Sequence, residues 1–217
     1  MLQARDGELR VLLWQRAQQP HVDRWSLPGG RLAADEEVET SIRRQLAEKV
    51  DVHKLTHVEQ LAVFSAPDRF PGRRVVATAF LGLVPSDIDP EVPGDTSWHP
   101  VDDLPDTAFD HERIALEARE RLRAKLSYTN IGFALAPAEF TISELRRIYS
   151  AALGYQVSAT NLQRVLSRRG VLETTGRTVS AGPTGGRPPA LFRFTNRDLE
   201  VTDPFAVFRP PANGGHE

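Results

Sequence analysis

The most constraining feature of this chain is the spacing in residues 29–52, G-G-R-L-A-A-D-E-E-V-E-T-S-I-R-R-Q-L-A-E-K-V-D-V. A Pro28-Gly29-Gly30 turn opens onto a run rich in Ala, Glu, Arg and Leu, the composition of a helix. Asp35, Glu36 and Glu37 are expected to begin that helix, where its dipole favours acids. Residues three and four apart are neighbours on a helix, so positions 45, 48 and 49 share one face. That face carries Gln45, Glu48 and Lys49: one carboxylate between a neutral amide and an ammonium.

Gly30, Glu36, Arg44 and Glu48 resemble the Nudix box, Gly-x5-Glu-x7-Arg-Glu-U-x-Glu-Glu-x-Gly-U, where U is a bulky aliphatic residue. The chain departs from it in the last part: Gln45 and Lys49 stand where the box has Glu, and Asp51 where it has Gly. The resemblance implies a loop–helix–loop in which carboxylates one turn apart hold divalent metals against a diphosphate. Mg²⁺ demands hard oxygen ligands, and a single carboxylate beside Lys49 is a poor site for it. The resemblance assigns Glu36 and Arg44 the structural task of tying loop to helix. The scaffold half of the box is therefore kept and the metal-binding half is not. No resident metal and no cofactor are expected, with Mg²⁺ relevant only to residual hydrolysis. Candidate ligand-binding residues are Gly30, Arg31, Glu48 and Lys49 of the box, with Arg16 and Trp25 upstream. Arginine fits phosphate bidentately, Lys49 would replace a metal's charge, and Trp25 would stack on a base or pack in the core.

At 217 residues the chain holds one large domain or two small ones. It has no Cys, which excludes disulfides and thiolate chemistry and suits a reducing cytoplasm. No apolar run approaches the roughly 18 residues that span a bilayer. The net charge of −2 is unevenly spread: residues 136–197 carry nine Arg against three Glu, or +6, leaving −8 elsewhere. Such asymmetry points to an anionic partner for that segment.

Residues 8–16 alternate as a strand after a hairpin signal, Asp6-Gly7, with only five residues upstream for its partner, so Met1 reads as an internal or misassigned start. Residues 57–65 and 74–84 read as further strands around a Pro71-Gly72 turn, with a short strand at Trp98. Residues 110–126 form a helix with Ile114, Ala118, Leu122 and Leu126 inward and Asp110 as N-cap. The expected first domain, 1–127, is thus α/β (α+β), and the box implies a Nudix α/β/α sandwich. A linker at 128–140 leads to 141–203. There Thr141-Ile-Ser-Glu144 has capping-box spacing, Gly154 ends one helix, Ser158 or Thr160 caps the next, and Gly170 stops it. A hairpin around 182–189 follows, which is the layout of a winged helix-turn-helix; 204–217 reads as a flexible tail.

The second of these helices buries Leu162, Val165 and Leu166 and turns outward Thr160, Asn161, Gln163, Arg164 and Arg168. These side-chain types read base edges and grip phosphates. Arg177, Arg187 and Arg193 lie in the hairpin, where a wing reaches the adjacent backbone.

Two further stretches carry resemblances. Ala108-Phe-Asp-His111 is similar to a segment that follows the Nudix core in relatives of ADP-ribose pyrophosphatases. Tyr128-Thr-Asn-Ile-Gly-Phe133, Phe140-Thr and Glu144-Leu resemble the linker and first winged-helix segment of the Nudix-related transcriptional regulators of NAD metabolism. That family implies a homodimeric, cytoplasmic bacterial repressor on a palindromic double-stranded operator. ADP-ribose or a related NAD metabolite would act as the effector that releases DNA, with the helix at 110–126 and the junction after it as lever. The rival expectation is an active hydrolase of ADP-ribose with a C-terminal dimerisation domain, against which Gln45 and Lys49 argue.

Overall fold

The computed structural model describes residues 1–50, 55–179 and 188–203, without the side chains of Lys49 and Val50. Asp51, Arg187 and residues 204–217 therefore lie outside the described residues. Strand β1 (Leu2–Arg5) pairs antiparallel with β2 (Glu8–Gln15) across Asp6-Gly7, both at positive φ, so the five upstream residues do supply the hairpin's first strand. On its other edge β2 takes β3 (Trp25–Ser26) and β6 (Thr96–Pro100), while β1 continues in parallel to β5 (Ala77–Leu83), which pairs antiparallel with β4 (His57–Phe64). β5 is shorter than the predicted 74–84.

Alternation along β2 sorts the domain into layers, because successive strand residues face opposite sides. Leu9, Val11 and Leu13 join Ile114, Ala115, Ala118, Leu122 and Leu126 of helix α2 (His111–Tyr128). Leu12 instead meets Leu46 of α1 (Val38–Val50). One helix on each face gives the sandwich that the box implied.

The winged helix follows: α3 (Ile142–Leu153), α4 (Ala159–Arg168), β7 (Leu172–Thr178) and β8 (Ala190–Phe194). Thr141 and Glu144 form the full capping box, Gly154 closes α3 at φ 80°, and Ser158 caps α4. Leu145, Ile148, Leu162, Leu166 and Phe194 continue the same apolar cluster that holds α2, so both domains share one core.

Three local expectations are corrected. Helix α1 begins at Val38, not at Asp35. Glu36 instead stays in the loop, where its carboxylate accepts from Ala33 N (2.8 Å) and from Arg44. Asp110 occupies the N-cap position of α2 but makes no cap hydrogen bond; its two oxygens are taken by Arg69. Val165 is only half-buried, while Leu162 and Leu166 are buried.

Residues after the wing fold back onto the junction. Asn130, 1% exposed, donates through Nδ2 to Asp198 O (2.8 Å) and accepts at Oδ1 from Glu200 N (2.8 Å); its own N–H donates to Glu200 O (3.1 Å). Thr202 N and Asp203 N donate to Tyr128 O, and Arg197 donates to Phe133 O. The end of α2 and the end of the wing are thereby laced together.

Candidate ligand pocket and DNA-reading surface

The cavity begins with the Gly-Gly turn. Gly30 abuts the Gln45 amide so closely that a Cβ there would stand 2.2 Å from it and push the Gln45 side chain aside. Gln45 is buried; its amide donates to Arg31 O (3.4 Å), or in the flipped orientation accepts from Arg44 (3.1 Å). Arg44 clasps Glu36 with two bonds, Nε to Oε2 at 2.9 Å and Nη2 to Oε1 at 2.6 Å, and bonds Glu48 at 3.0 Å. This pairing holds the Glu36 carboxyl down at about 2, helped by Ala33 N–H, and raises the Arg44 guanidinium.

A cavity of about 690 Å³ opens between this turn, α1, β5 and the loops at 16–18 and 69–76, within the range that encloses a small ligand. Of the sequence-predicted ligand residues, Arg16, Gly30 and Arg31 line it, with Gln45. Trp25 does not. Its ring packs on the core and meets His99 edge-on at 4.3 Å, so the packing role wins over base stacking. Glu48 is exposed on the outer side and bound to Arg44. Arg16 donates to Pro20 O and Gln18 O and covers the Phe109 ring at 4.9 Å.

These positions answer whether a divalent metal fits. Glu48 is exposed and shares Arg44 with Glu36, Gln45 is turned toward the Gly30 loop, and among the described residues no three Asp, Glu, His or Cys come together as ligands. One exposed carboxylate bound to a guanidinium is a donor set that does not suit a dication.

The remaining wall comes from the loops at 69–76 and 106–111. Trp25 N donates to Asp106 O and Ala108 N to Trp25 O, drawing residues 106–108 against β3. That delivers Phe109, at φ 57°, and His111 into the cavity. His111 Nδ1 accepts from Leu27 N–H (2.9 Å) and lies 2.9 Å from Ser26 Oγ, so its ring is neutral with the proton on Nε2. Next to it, Arg69 and Asp110 form a largely buried bidentate pair at 3.0 and 2.7 Å. The Ala108–His111 resemblance was the available signal for Phe109 and His111; nothing in the spacing marked Arg69 or Phe70.

Burial pushes the His111 imidazole down to about 4 from its ordinary 6.5. Between those values the unfolded chain binds a proton that the folded chain refuses. Stability therefore falls as pH drops from about 6.5 to 4, by up to about 3 kcal/mol. Between pH 7 and pH 4.5 the denaturant midpoint should fall further for wild type than for His111→Gln, which keeps an acceptor but cannot titrate; equal falls would remove His111 from acid sensitivity.

On the winged helix, Thr160, Asn161, Arg164 and Arg168 are exposed along α4 and Gln163 is half-buried. Asn161 Oδ1 accepts from Arg164 Nη2 at 2.7 Å, holding the guanidinium in place at the helix surface. In the hairpin, Arg177 pairs with Glu139 (2.7 Å) and Arg193 with Glu173 (2.5 Å), and Arg187 lies outside the described residues. Among the described residues, Arg164 and Arg168 on α4 make no ion pair, and neither do Arg146 and Arg147 on α3.

Comparison with known proteins agrees with this division. Residues 1–119 match the NUDIX domain and residues 132–194 match the NrtR DNA-binding winged helix domain. The ADPR responsive transcriptional repressor NtrR of Acinetobacter baylyi is 30% identical over 205 residues, 91% of this chain and 80% of its own length. The crystal structure of Shewanella oneidensis NrtR complexed with a 27mer DNA superposes with a TM-score of 0.74 at 28% identity, covering 89% of this chain and 90% of that one. The NUDIX domain of that protein complexed with ADP ribose matches at 34% identity and TM-score 0.50, over 56% of this chain and 82% of that one. With a Nudix sandwich, a winged helix reading head and a shared core in one chain, this protein belongs to the NrtR family of Nudix-related transcriptional regulators.

Proposed function

We propose that the chain represses NAD biosynthesis or salvage genes as a homodimer on a palindromic operator. Its Nudix domain binds ADP-ribose or a related NAD metabolite and thereby releases the DNA. The observation that carries this is the path of α2. Its first residue, His111, lines the cavity, and its last, Tyr128, accepts hydrogen bonds from Thr202 and Asp203 beyond the wing. Eighteen helical residues span about 27 Å without a break. A ligand shifts the DNA equilibrium only by binding one arrangement better than the other. A rigid helix joining pocket to reading head supplies the means. The relatives that respond to ADPR or hold ADP ribose supply the ligand's chemistry.

The Nudix site is, in this reading, catalytically impaired, supported by the Arg44–Glu48 bond and the buried Gln45. The protein would act in a bacterial cytoplasm; no helix among the described residues is long and apolar enough to cross a membrane.

The test is a gel shift against DNA upstream of the chain's own gene, with ADP-ribose from micromolar to millimolar levels. The expected result is a retarded band lost as ADP-ribose rises; a band insensitive to it sinks the sensor assignment. In parallel, ADP-ribose incubated with Mg²⁺ or Mn²⁺ should yield no AMP and ribose 5-phosphate. Robust turnover would favour the hydrolase instead.

A further inference from the structure

The cavity holds an aromatic arrangement that the phosphate chemistry of the box does not use. Phe70 and Phe109 stack with centroids 4.9 Å apart and planes 19° from parallel. Each ring carries a guanidinium: Arg16 lies 4.9 Å from Phe109, and Arg73 lies 4.5 Å from Phe70. All four line the same cavity as Gly30 and Arg31.

The two rings are not equally free. Their chain neighbours Arg69 and Asp110 form the buried bidentate pair, which fixes the separation of the backbones that bear them. Phe109 is held at φ 57°, a conformation that bulky residues keep only where the surroundings over-determine it. Arg16 is anchored by two backbone carbonyls. A heterocycle sliding between the rings would need them about 7 Å apart, twice a stacking distance, against the Arg69–Asp110 tie. Arg73 differs: it is exposed and, among the described residues, is held by the Phe70 ring alone. Of the two stacked rings, Phe70 is the one whose outer face opens by moving a single flexible side chain.

We propose that the outer face of Phe70 is the nucleobase platform of the pocket, with Arg73 lifting off the ring and closing over the bound base. The base is then sandwiched between a phenyl ring and a guanidinium, while the phosphates of the same ligand run toward Gly30 and Arg31. Stacking of this kind selects a purine by the area of its π-face rather than by its edge. The ligand class is therefore a purine nucleoside diphosphate, and a sugar phosphate without a base is a weak ligand. This inference rests on the sensor reading above and adds to it the part of the ligand that is read.

The full-length chain would be titrated calorimetrically with ADP-ribose, AMP and ribose 5-phosphate, alongside adenine absorbance near 260 nm. Wild type should bind ADP-ribose with adenine hypochromism. Phe70→Leu and Arg73→Ala should each weaken ADP-ribose and AMP by about tenfold or more, abolish the hypochromism in the Leu variant, and leave ribose 5-phosphate unchanged. Wild-type affinity for ADP-ribose in both variants overturns the platform and leaves the sensor standing. No ADP-ribose binding by wild type overturns both. If Phe70→Leu melts early, the exposed Arg73→Ala decides the matter alone.

Discussion

Replacing Arg164 and Arg168 together with alanine is expected to weaken operator binding by about 100-fold or more, and each alone by about tenfold. A well-made arginine contact to a base is worth about 1–3 kcal/mol, and removing one phosphate-binding cation lowers the salt slope by about one. Both side chains are exposed, and Arg164 is already held by Asn161, so little ordering cost is met on binding. Gel-shift titration at two salt concentrations measures the effect. Unchanged affinity in both single variants would take α4 out of the DNA interface. Thermal midpoints should stay near wild type, because surface changes of this sort move stability by about 0.5 kcal/mol or less.

Asn130→Ala is expected to cost about 2–4 kcal/mol although it removes one small side chain. It leaves the part-buried Glu200 N–H and Asp198 carbonyl without their Asn130 partners, and each such loss costs about 1–3 kcal/mol to the extent that water does not replace it. For a chain of this size the melting midpoint should drop on the order of 10 °C. Hydrogen exchange should rise in residues 196–203 more than in the Nudix sheet. If the strap matters for coupling, the variant should still bind operator below its melting point but need more ADP-ribose for release. Wild-type exchange and release together would show that Asn130 merely fills space.

The same strap explains where sequence reading stopped. Residues 195–203 carry no periodicity, and their structure consists of backbone groups meeting Tyr128, Thr129 and Asn130 some seventy residues earlier. Nothing local predicts such pairing, because the partners are set by how the winged helix lies on α2. The ion pairs of the hairpin cations were unreadable for a related reason: counting charge along the chain cannot tell that Arg177 faces Glu139. Helix α1 starts later than its acids suggested because Glu36 has a better partner in Arg44, eight residues on, than in the helix dipole.

The local rules, by contrast, were enough for the framework. Alternation over residues 8–16 marked a strand and the stripe Ile114, Ala118, Leu122 and Leu126 marked a helix, and the structure joins Leu9, Val11 and Leu13 to that stripe. The capping-box spacing at Thr141, Gly154 and a cap at Ser158 or Thr160 placed both helices of the reading head, and the structure selects Ser158. These depend on neighbours one turn or one pleat away, so they are written in the chain itself. So is the spacing of Gly30, Glu36, Arg44 and Glu48. What only the tertiary structure decided is which side chains share the cavity. Trp25 turned to the core, Glu48 turned out to Arg44, and Phe70 and Phe109, about forty residues apart, came to stack because Arg69 and Asp110 bind each other. Associations of that range are made by packing and ion pairing between loops, which no periodicity encodes.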